Sequence, residues 1–587
     1  MSATQKRRGP NVELEALVFL FGIVALVALH VMTWLSASLA AEGPTEEPGP
    51  NPLVLWVRLA IGDYQWPGAI ATVYLCLQLV VVLVLVGLGW KVWTKARGKR
   101  ERIDMAIRYL ASPKELAPSM THQVTRTASK FGLAKGTTPG VFIGRTVRGD
   151  NELWGSWEDM HVDIWGPRTG KTATRAIPNI VSAPGAVVVT SNKRDVVDAT
   201  RAIREAKGTV YIFDPQNQAG GKPVFWWNPL TYVGDSIVKA VKLAARFVSV
   251  NRQDHARSDA YFEPAAQDLF ANLLLAASID KRPITQVYVW LTRPTDDTPV
   301  RILRDGGHHM PAEAVESVIG QPDRQRAGVY GTAIQMASFL VAENINEWVT
   351  PGSDPSRPEF DYMAFVRSPS DTLYLLSEET NKIAAPLVMA LTTILAEEAE
   401  NYSRDSPNGR LPIPALFVLD EAANVCPWKA LPDKYTHFGS RGVIVMVILQ
   451  SWAQGVSVWG DNGMQKLWGS ANIRVYGGGV SDVSFLENLA KSAGMFEPRT
   501  TSTSHKFGDH RGISRASRAE AVLDASDLMS MPRGRAFVQI SGSRPTLVRT
   551  VPWWETEYAD RIQESINTYD PSQVMNAAQI NMAKAVK

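Results

Sequence analysis

Two long uncharged stretches dominate the first hundred residues of the chain. Residues 16–37 and residues 69–90 contain no Asp, Glu, Lys or Arg over 22 positions each. Because about 20 apolar residues in a helix span the hydrocarbon core of a bilayer, the pattern predicts two transmembrane helices joined by a loop at about 41–68. A signal peptide is the alternative for the first stretch, since Ser36-Ala37-Ser38 resembles a cleavage site, although the apolar run is longer than usual.

The charges that flank these stretches predict how the helices are oriented. Three basic residues, Lys6 to Arg8, precede the first stretch, and six basic residues lie between positions 91 and 102. The intervening loop carries four acidic residues against Arg58 alone. Because Lys and Arg are retained on the cytoplasmic side, we expect a multi-pass protein of the cytoplasmic membrane with both termini in the cytoplasm.

Beyond residue 102, short apolar runs alternate with segments of helical periodicity. A long helix of this kind is predicted from about Ile383 to Tyr402. Because strands and helices alternate, the sequence predicts an α/β fold with a parallel sheet covered by helices on both faces. Ligands of such sheets bind at the carboxyl ends of the strands. The apolar runs predict strands at 161–165, 186–190, 210–213, 371–376, 415–419, 443–449 and 473–476.

A helical segment interrupts this alternation. Residues 231–353 show mostly helical patterns and few strand-like runs, so we expect an inserted all-helical domain; helices that decorate the sheet without a core of their own are the alternative. The predicted organisation is a membrane anchor at 1–102, a nucleotide-binding domain at 103–230 and 354–560 with the insertion between its two parts, and a C-terminal tail at 561–587.

Composition excludes several classes of protein. With 45% hydrophobic and 20% charged residues, the chain is neither disordered nor fibrous. Its two cysteines, Cys76 and Cys426, exclude a disulfide scaffold and a cysteine-built metal site. The net charge of +3 comes from the first 102 residues, because the remaining 485 residues carry 51 basic and 51 acidic side chains. Bulk charge therefore gives no argument for nucleic-acid binding, and any basic surface must be local.

The loop after the predicted strand at 161–165 has the features of a phosphate-binding P-loop. Its backbone N–H groups and the following helix N-terminus would hold phosphates, Lys171 would reach the β and γ oxygens, and the Thr172 hydroxyl would bind Mg²⁺. Trp165 stands where the GxxxxGK[ST] motif has its first glycine. The loop residues are Gly166, Pro167, Arg168, Thr169, Gly170, Lys171 and Thr172.

A second motif supports this interpretation. The apolar run at 415–419, typical of a strand buried on both faces, ends in Asp420 and Glu421. Two carboxylates in such a place are costly unless they serve a metal or a reaction. Asp420 would hold Mg²⁺, and Glu421 would orient and deprotonate the attacking water. Together the two motifs predict an ATPase that uses ATP and Mg²⁺.

The order of the motifs resembles that of the type IV coupling proteins, the TraG/TraD-like membrane ATPases of conjugation and type IV secretion. The resemblance extends over about residues 105–560 and the two-helix anchor, and it implies a RecA-like P-loop NTPase fold. The segments that carry it are 166–172 with Ile177-Pro178, 191–193, 213–215, 228–230, 419–422, 449–451, 532–536 and 542–545.

The resemblance implies a homo-hexameric motor at the membrane that moves single-stranded DNA, with its attached relaxase from the relaxosome, into a type IV secretion channel. It also implies that ATP lies between subunits, where Arg441 of a neighbour would approach the γ-phosphate. Gln450 would sense that phosphate, or would only form a hydrogen bond at a strand end. The alternative functions are a FtsK/SpoIIIE-like double-stranded DNA translocase and a secretion ATPase that carries protein only.

One basic segment is a candidate for DNA contact. Residues 497–520 show neither helical nor strand periodicity, so we expect an exposed loop. Six copies of this loop would bind DNA phosphates along a channel. The alternative is an exposed, disordered surface loop without a function. The basic residues are Arg499, Lys506, Arg511, Arg515 and Arg518.

Overall fold

The computed structural model of the chain describes residues 27–41, 47–96, 101–251, 262–496, 499–504, 512–517 and 519–572. The chain divides into two compact units, Met1–Arg100 and Glu101–Lys587.

The first unit contains three described helices, α1 over 27–40, α2 at Pro52–Ala60 and α3 at Gly68–Ala96. α2 lies within the connection predicted as a loop, because Pro52 opens an apolar run of helical length. α3 coincides with the second predicted span, whereas residues 16–26 of the first span lie outside the described residues. Among the residues that the structure describes, no helix combines the length and the apolar character needed to cross a membrane. The prediction of two transmembrane helices is therefore unsupported by the structure.

The second unit is built on one sheet of 11 strands in the order β2-β1-β15-β14-β9-β3-β8-β7-β4-β6-β5. Two further pairs, β10 with β13 and β11 with β12, lie outside this sheet. The strands are β1 Val141–Thr146, β2 Glu152–Gly155, β3 His161–Ile164, β4 Val187–Ser191, β5 Val210–Phe213, β6 Thr372–Leu376, β7 Ala415–Leu419, β8 Val443–Leu449, β9 Ile473–Tyr476, β10 Met495–Phe496, β11 Arg499–Ser504, β12 Gly512–Ser517, β13 Glu520–Ala521, β14 Arg535–Ile540 and β15 Thr546–Arg549.

The sheet is mixed, which corrects the prediction of a parallel sheet. The seven strands from β9 to β5 are parallel and coincide with the seven predicted runs. The four strands β14, β15, β1 and β2 are antiparallel to their neighbours. The short connections at 147–151 and 541–545 require β1 with β2 and β14 with β15 to be antiparallel, because a parallel crossover needs about a dozen residues or more. Gly542, at φ 84°, supplies the left-handed conformation for the second turn.

The basic segment at 497–520 is also different from its prediction. Its described part forms a β-ribbon, with Thr501 opposite Arg515 in the antiparallel pair β11–β12, and is not a loop. Sequence periodicity could not reveal these strands, because residues 499–504 contain no apolar residue that would mark a buried face. Lys506, Arg511 and Arg518 lie outside the described residues.

Helices cover the sheet on both faces. Between β5 and β6 the described residues form helices and no strand. The apolar side chains of that segment, such as Leu274, join those of the sheet, such as Phe417, in one continuous core. That the segment is a domain of its own stays a prediction. The α-helices are α4 Pro113–Leu116, α5 Thr121–Lys130, α6 Ile177–Ser182, α7 Asp195–Glu205, α8 Pro229–Val233, α9 Ile237–Asn251, α10 Phe262–Ile279, α11 Thr285–Leu291, α12 Thr298–Asp305, α13 His309–Ile319, α14 Asp323–Met336, α15 Glu343–Val349, α16 Tyr362–Arg367, α17 Ala385–Asp405, α18 Ala422–Val425, α19 Leu431–Arg441, α20 Trp452–Ser470, α21 Val483–Ala493, α22 Ala525–Met529 and α23 Ala559–Tyr569.

The last helix is part of the packed structure. α23 buries Ile562 against Ile203 of α7 and Val181 of α6. The Ser565 hydroxyl donates to the Asp198 carbonyl oxygen at 2.6 Å. The predicted C-terminal tail at 561–587 therefore begins inside a packed helix, and residues 573–587 lie outside the described part of the chain.

Candidate active site

The sequence motifs meet at one edge of the sheet. The P-loop follows β3, Gln450 follows β8, and Asp420 and Glu421 follow β7. β3, β8 and β7 are consecutive and parallel in the sheet, so their carboxyl ends lie side by side. Residues that are some 250 positions apart along the chain are thereby brought into contact.

The P-loop turns between strand and helix through two left-handed residues, Arg168 at φ 60° and Gly170 at φ 98°. The Thr174 N–H donates to the Gly170 carbonyl oxygen at 3.0 Å, which joins the loop to the helix. That helix begins with a π-turn, Thr172–Ala176, and continues as α6. Pro167 and Arg168 are exposed, whereas Thr169 to Thr172 are half-buried. The segment thus has the strand, loop and helix context that a P-loop requires.

Gly166 fits the loop because nothing larger has room there. A Cβ atom at this position would lie 2.0 Å from the carbonyl oxygen of Gly479. The Gly166 N–H donates to the Gly478 carbonyl oxygen at 2.9 Å. The glycines that follow β9 therefore form one wall of the loop. This wall was not predicted from the sequence, although three consecutive glycines directly after a predicted strand signal a close backbone approach.

Lys171 is paired with both acidic residues of the site. Its Nζ atom lies 3.1 Å from Oδ1 of Asp420 and donates a hydrogen bond to the Glu421 carboxylate. The two acids are only 3% and 4% exposed. Burial alone would lower the pKa of Lys171, but the carboxylates of Asp420 and Glu421 outweigh it, so that the pKa is raised. The lysine is therefore a cation at neutral pH and balances part of the buried negative charge.

Asp420 and Thr172 supply a pair of oxygen atoms beside the lysine. The Thr172 Oγ1 atom lies 3.5 Å from Oδ2 of Asp420. Burial raises the pKa of Asp420, the Lys171 charge opposes this rise, and the neighbouring Glu421 charge adds to it. No cluster of three or more His, Cys, Asp and Glu that could hold a metal occurs in the part of the chain that the structure describes. The oxygen atoms of Thr172 and Asp420 fit Mg²⁺, which binds through one or two protein oxygens together with water and substrate phosphates.

Gln450 holds the Glu421 carboxylate from the other side. Its Nε2 atom donates to both carboxylate oxygens at 2.7 Å. The Gln450 N–H in turn donates to Oε1 of Gln454, which lies one turn into α20. Glu421 itself has a left-handed backbone at φ 55°, a costly conformation for a residue with a side chain. The carboxylate is therefore held between Lys171 and Gln450.

Arg441 is the one predicted catalytic residue that the structure places away from this cluster. It ends α19 at the amino end of β8, and its Nη1 atom donates to the Gly409 carbonyl oxygen at 3.0 Å. The seven residues of β8 separate it from Gln450 by about 23 Å, a distance that a single side chain does not span. Arg441 is therefore unable to serve the site of its own chain, and its role for a neighbour stays a prediction.

A buried ion pair beneath the P-loop was not predicted. Arg175 in the π-turn donates to Oδ2 of Asp163 in β3 at 2.6 Å, and both side chains are fully buried. Arg175 also donates to the Phe142 carbonyl oxygen in β1 and lies 3.2 Å from Nδ1 of His161. Burial, followed by the Arg175 charge, lowers the pKa of His161 well below its ordinary value. The pair therefore fixes the start of the P-loop helix against β3 beside a neutral histidine.

Residues 414–533 match the family described as the TraM recognition site of TraD and TraG. The protein VirD4 of Agrobacterium fabrum is 21% identical over 421 residues, which cover 69% of this chain and 60% of VirD4. The unbound conjugative coupling protein TrwBdeltaN70 has a similar structure, with a TM-score of 0.52, 16% identity, and coverage of 75% of this chain and 93% of that one. The chain resembles the type IV coupling proteins. The resemblance predicted from the sequence is thereby confirmed.

The coupling protein TrwB has also been solved in complex with the non-hydrolysable ATP analogue ADPNP. That structure has a TM-score of 0.50 and 16% identity, and it covers 74% of this chain and 93% of its own. At this identity the likeness shows the fold. The chain therefore shares a mixed α/β P-loop fold with a bacterial coupling protein, and the match extends over about three fifths of VirD4.

Proposed function

We propose that the protein is a coupling ATPase, which hydrolyses ATP to drive single-stranded DNA and its attached relaxase into a type IV secretion channel. The observation that carries this proposal is the convergence of Lys171, Asp420, Glu421 and Gln450 at the carboxyl edge of the sheet. The likeness to VirD4 and TrwB supports it, as does the match of residues 414–533 to the TraM recognition site of TraD and TraG, since the latter implies a relaxosome partner.

The residues of the site divide the chemistry between them. The backbone N–H groups of residues 168–172 bind phosphate oxygens at a helix N-terminus, and Lys171 neutralises the β and γ oxygens. When ATP engages Lys171, the Glu421 carboxylate loses its cationic partner and becomes available to take a proton from water. Gln450 keeps this carboxylate oriented and reports the presence of the γ-phosphate. Thr172 and Asp420 are the residues that would hold Mg²⁺, which stabilises the negative charge that develops on the phosphates.

Contact with single-stranded DNA can be tested by substitutions in the basic segment at 497–520. Replacing Arg511, Arg515 and Arg518 by Ala should weaken DNA-stimulated ATPase activity and leave the basal turnover intact. Each lost phosphate contact should flatten the slope of log affinity against log salt by roughly 0.7. ATPase assays at several salt concentrations, with and without single-stranded DNA, measure both effects. An unchanged slope in the triple variant would place the DNA contacts elsewhere, and stimulation by duplex DNA alone would favour the translocase alternative.

We also propose that the first unit attaches the protein to the cytoplasmic membrane. On α3, apolar side chains are exposed on every side of the helix, and Val73, Val80, Val81 and Leu83 are each more than half exposed. Such an apolar surface is expected to be covered by lipid or protein. Deleting residues 1–100 should therefore move the protein from the membrane fraction to the soluble fraction, whereas the full chain should need detergent. Release of the full chain by salt alone would contradict attachment through apolar side chains.

A further inference from the structure

The tryptophan that replaces the first glycine of the P-loop motif is a buried part of the fold. Side chains of β3 alternate between two faces, with Val162 and Ile164 in the larger core. Trp165 continues the alternation on the other face, where it packs in the same cluster as Val189 and Ile448 and is 1% exposed. The bulk of this indole must therefore be accommodated by a neighbouring strand.

Gly477 provides the room for the indole. β3 and β9 are parallel neighbours with Ile164 opposite Tyr476, so that Trp165 and Gly477 are the next residues along the two strands. A Cβ atom on Gly477 would lie 1.9 Å from Cε3 and 2.1 Å from Cδ2 of the Trp165 ring. The indole Nε1 atom has no hydrogen-bond partner in the described part of the chain. The indole is thus held by shape alone, and only glycine fits beneath it.

The same run of glycines touches the P-loop at two further points. The Gly166 N–H donates to the Gly478 carbonyl oxygen at 2.9 Å. A Cβ atom on Gly479 would lie 2.6 Å from Cγ2 of Thr169. Because these contacts are to the loop backbone and to its own threonine, a displacement of residues 477–479 displaces the P-loop. The end of β9 and the loop therefore behave as one packed body.

We propose that Trp165 and Gly477 are a positioning pair for nucleotide binding. In this chain the indole replaces a flexible glycine at the start of the loop, and Gly477 lets it pack so closely that the loop backbone rests against the glycines after β9. This arrangement holds the N–H groups of residues 168–172 in the orientation that binds phosphates. The inference rests on the proposed function, since it concerns the affinity of the same site for ATP.

The test compares nucleotide binding by the full chain with Gly477→Ala, Trp165→Gly and the double variant. An extra methyl group in a filled space should weaken binding of a fluorescent ATP analogue by roughly tenfold or more in Gly477→Ala. KM for ATP should rise by a similar factor, while kcat at saturation changes little. Trp165→Gly removes the clash, so the double variant should bind within about threefold of Trp165→Gly alone.

Gly469→Ala is the matched control, because a Cβ atom there has nothing within 4 Å and should leave affinity unchanged. If Gly477→Ala binds the analogue as the wild type does, the proposal is overturned. If Gly477→Ala fails to fold, the double variant provides the test. A double variant that does not regain both folding and affinity would overturn the pairing. Absence of nucleotide binding by the wild type and by Gly469→Ala would instead reject the proposed function.

Discussion

Replacing Glu421 by Gln should abolish ATP turnover and leave ATP binding intact. The variant keeps the shape of the side chain and one oxygen that accepts from Gln450, but it lacks the carboxylate that accepts a proton from water. Loss of a general base typically costs 10²- to 10⁴-fold in rate. Lys171→Ala should lose turnover by a different route, because phosphate binding itself is weakened. Binding of a fluorescent ATP analogue and steady-state release of phosphate separate the two effects.

Glu379→Gln is the matched control for this prediction. Glu379 follows β6 at the same edge of the sheet, is exposed, and accepts hydrogen bonds from Asn192 and Asn424. The substitution removes an acid from the same surface without touching Lys171, so turnover should be unchanged. Near-normal hydrolysis by Glu421→Gln would reject Glu421 as the base.

Arg441→Ala should also lose ATP turnover. Mixing this variant with Lys171→Ala subunits should restore part of the activity. Because the length of β8 keeps Arg441 away from the site of its own chain, it can serve only a neighbouring subunit. An arginine supplied in this way is worth roughly 10³- to 10⁵-fold in rate. In an equal mixture of Arg441→Ala and Lys171→Ala subunits, about a quarter of the head-to-tail interfaces in a ring combine an intact lysine with an intact arginine. Activity should therefore reappear on mixing.

The control for Arg441 is Arg404→Ala, since Arg404 lies in the last turn of α17 and has an exposed side chain that pairs with Glu400. This variant should retain activity alone and in mixtures. Mixtures of Arg441→Ala and Lys171→Ala that stay inactive at every protein concentration would count against Arg441, and full activity of Arg441→Ala alone would exclude it. Arg441 also donates to Gly409, so the thermal stability of the variant should be measured beside its activity.

The parallel strands could be predicted because most of them read as apolar runs, and β4, β6, β7 and β8 are buried along their whole length. The acids after β7 were found for the same reason, since Asp420 and Glu421 end such a run. β1 and β2 were missed because residues such as Arg145 and Glu152 break the apolar pattern at the antiparallel edge. Periodicity along a chain reports burial of a strand and says nothing of which strand lies beside it.

The order of strands explains why some contacts at the site could not be predicted from the sequence. Gly477 and Trp165 are some 300 residues apart, and only the pairing of β9 with β3 brings them together. Asp163 and Arg175 are close in sequence, but their ion pair depends on the packing of the P-loop helix under the sheet. Local motifs therefore identified the groups that meet at the candidate site, whereas the residues that hold those groups in place depend on long-range packing.

The pairing of early with late strands also sets the time at which the site can form during synthesis. β1 pairs with β15 about 400 residues later, which a ribosome needs roughly 20 to 80 s to translate. β3, which carries the P-loop, acquires neighbours only when β8 and β9 have emerged. Until then its apolar residues and both of its edges are open to other chains. β9 ends at Tyr476, so a nucleotide bound at the proposed site could stabilise the nascent protein only after about four fifths of the chain has been made.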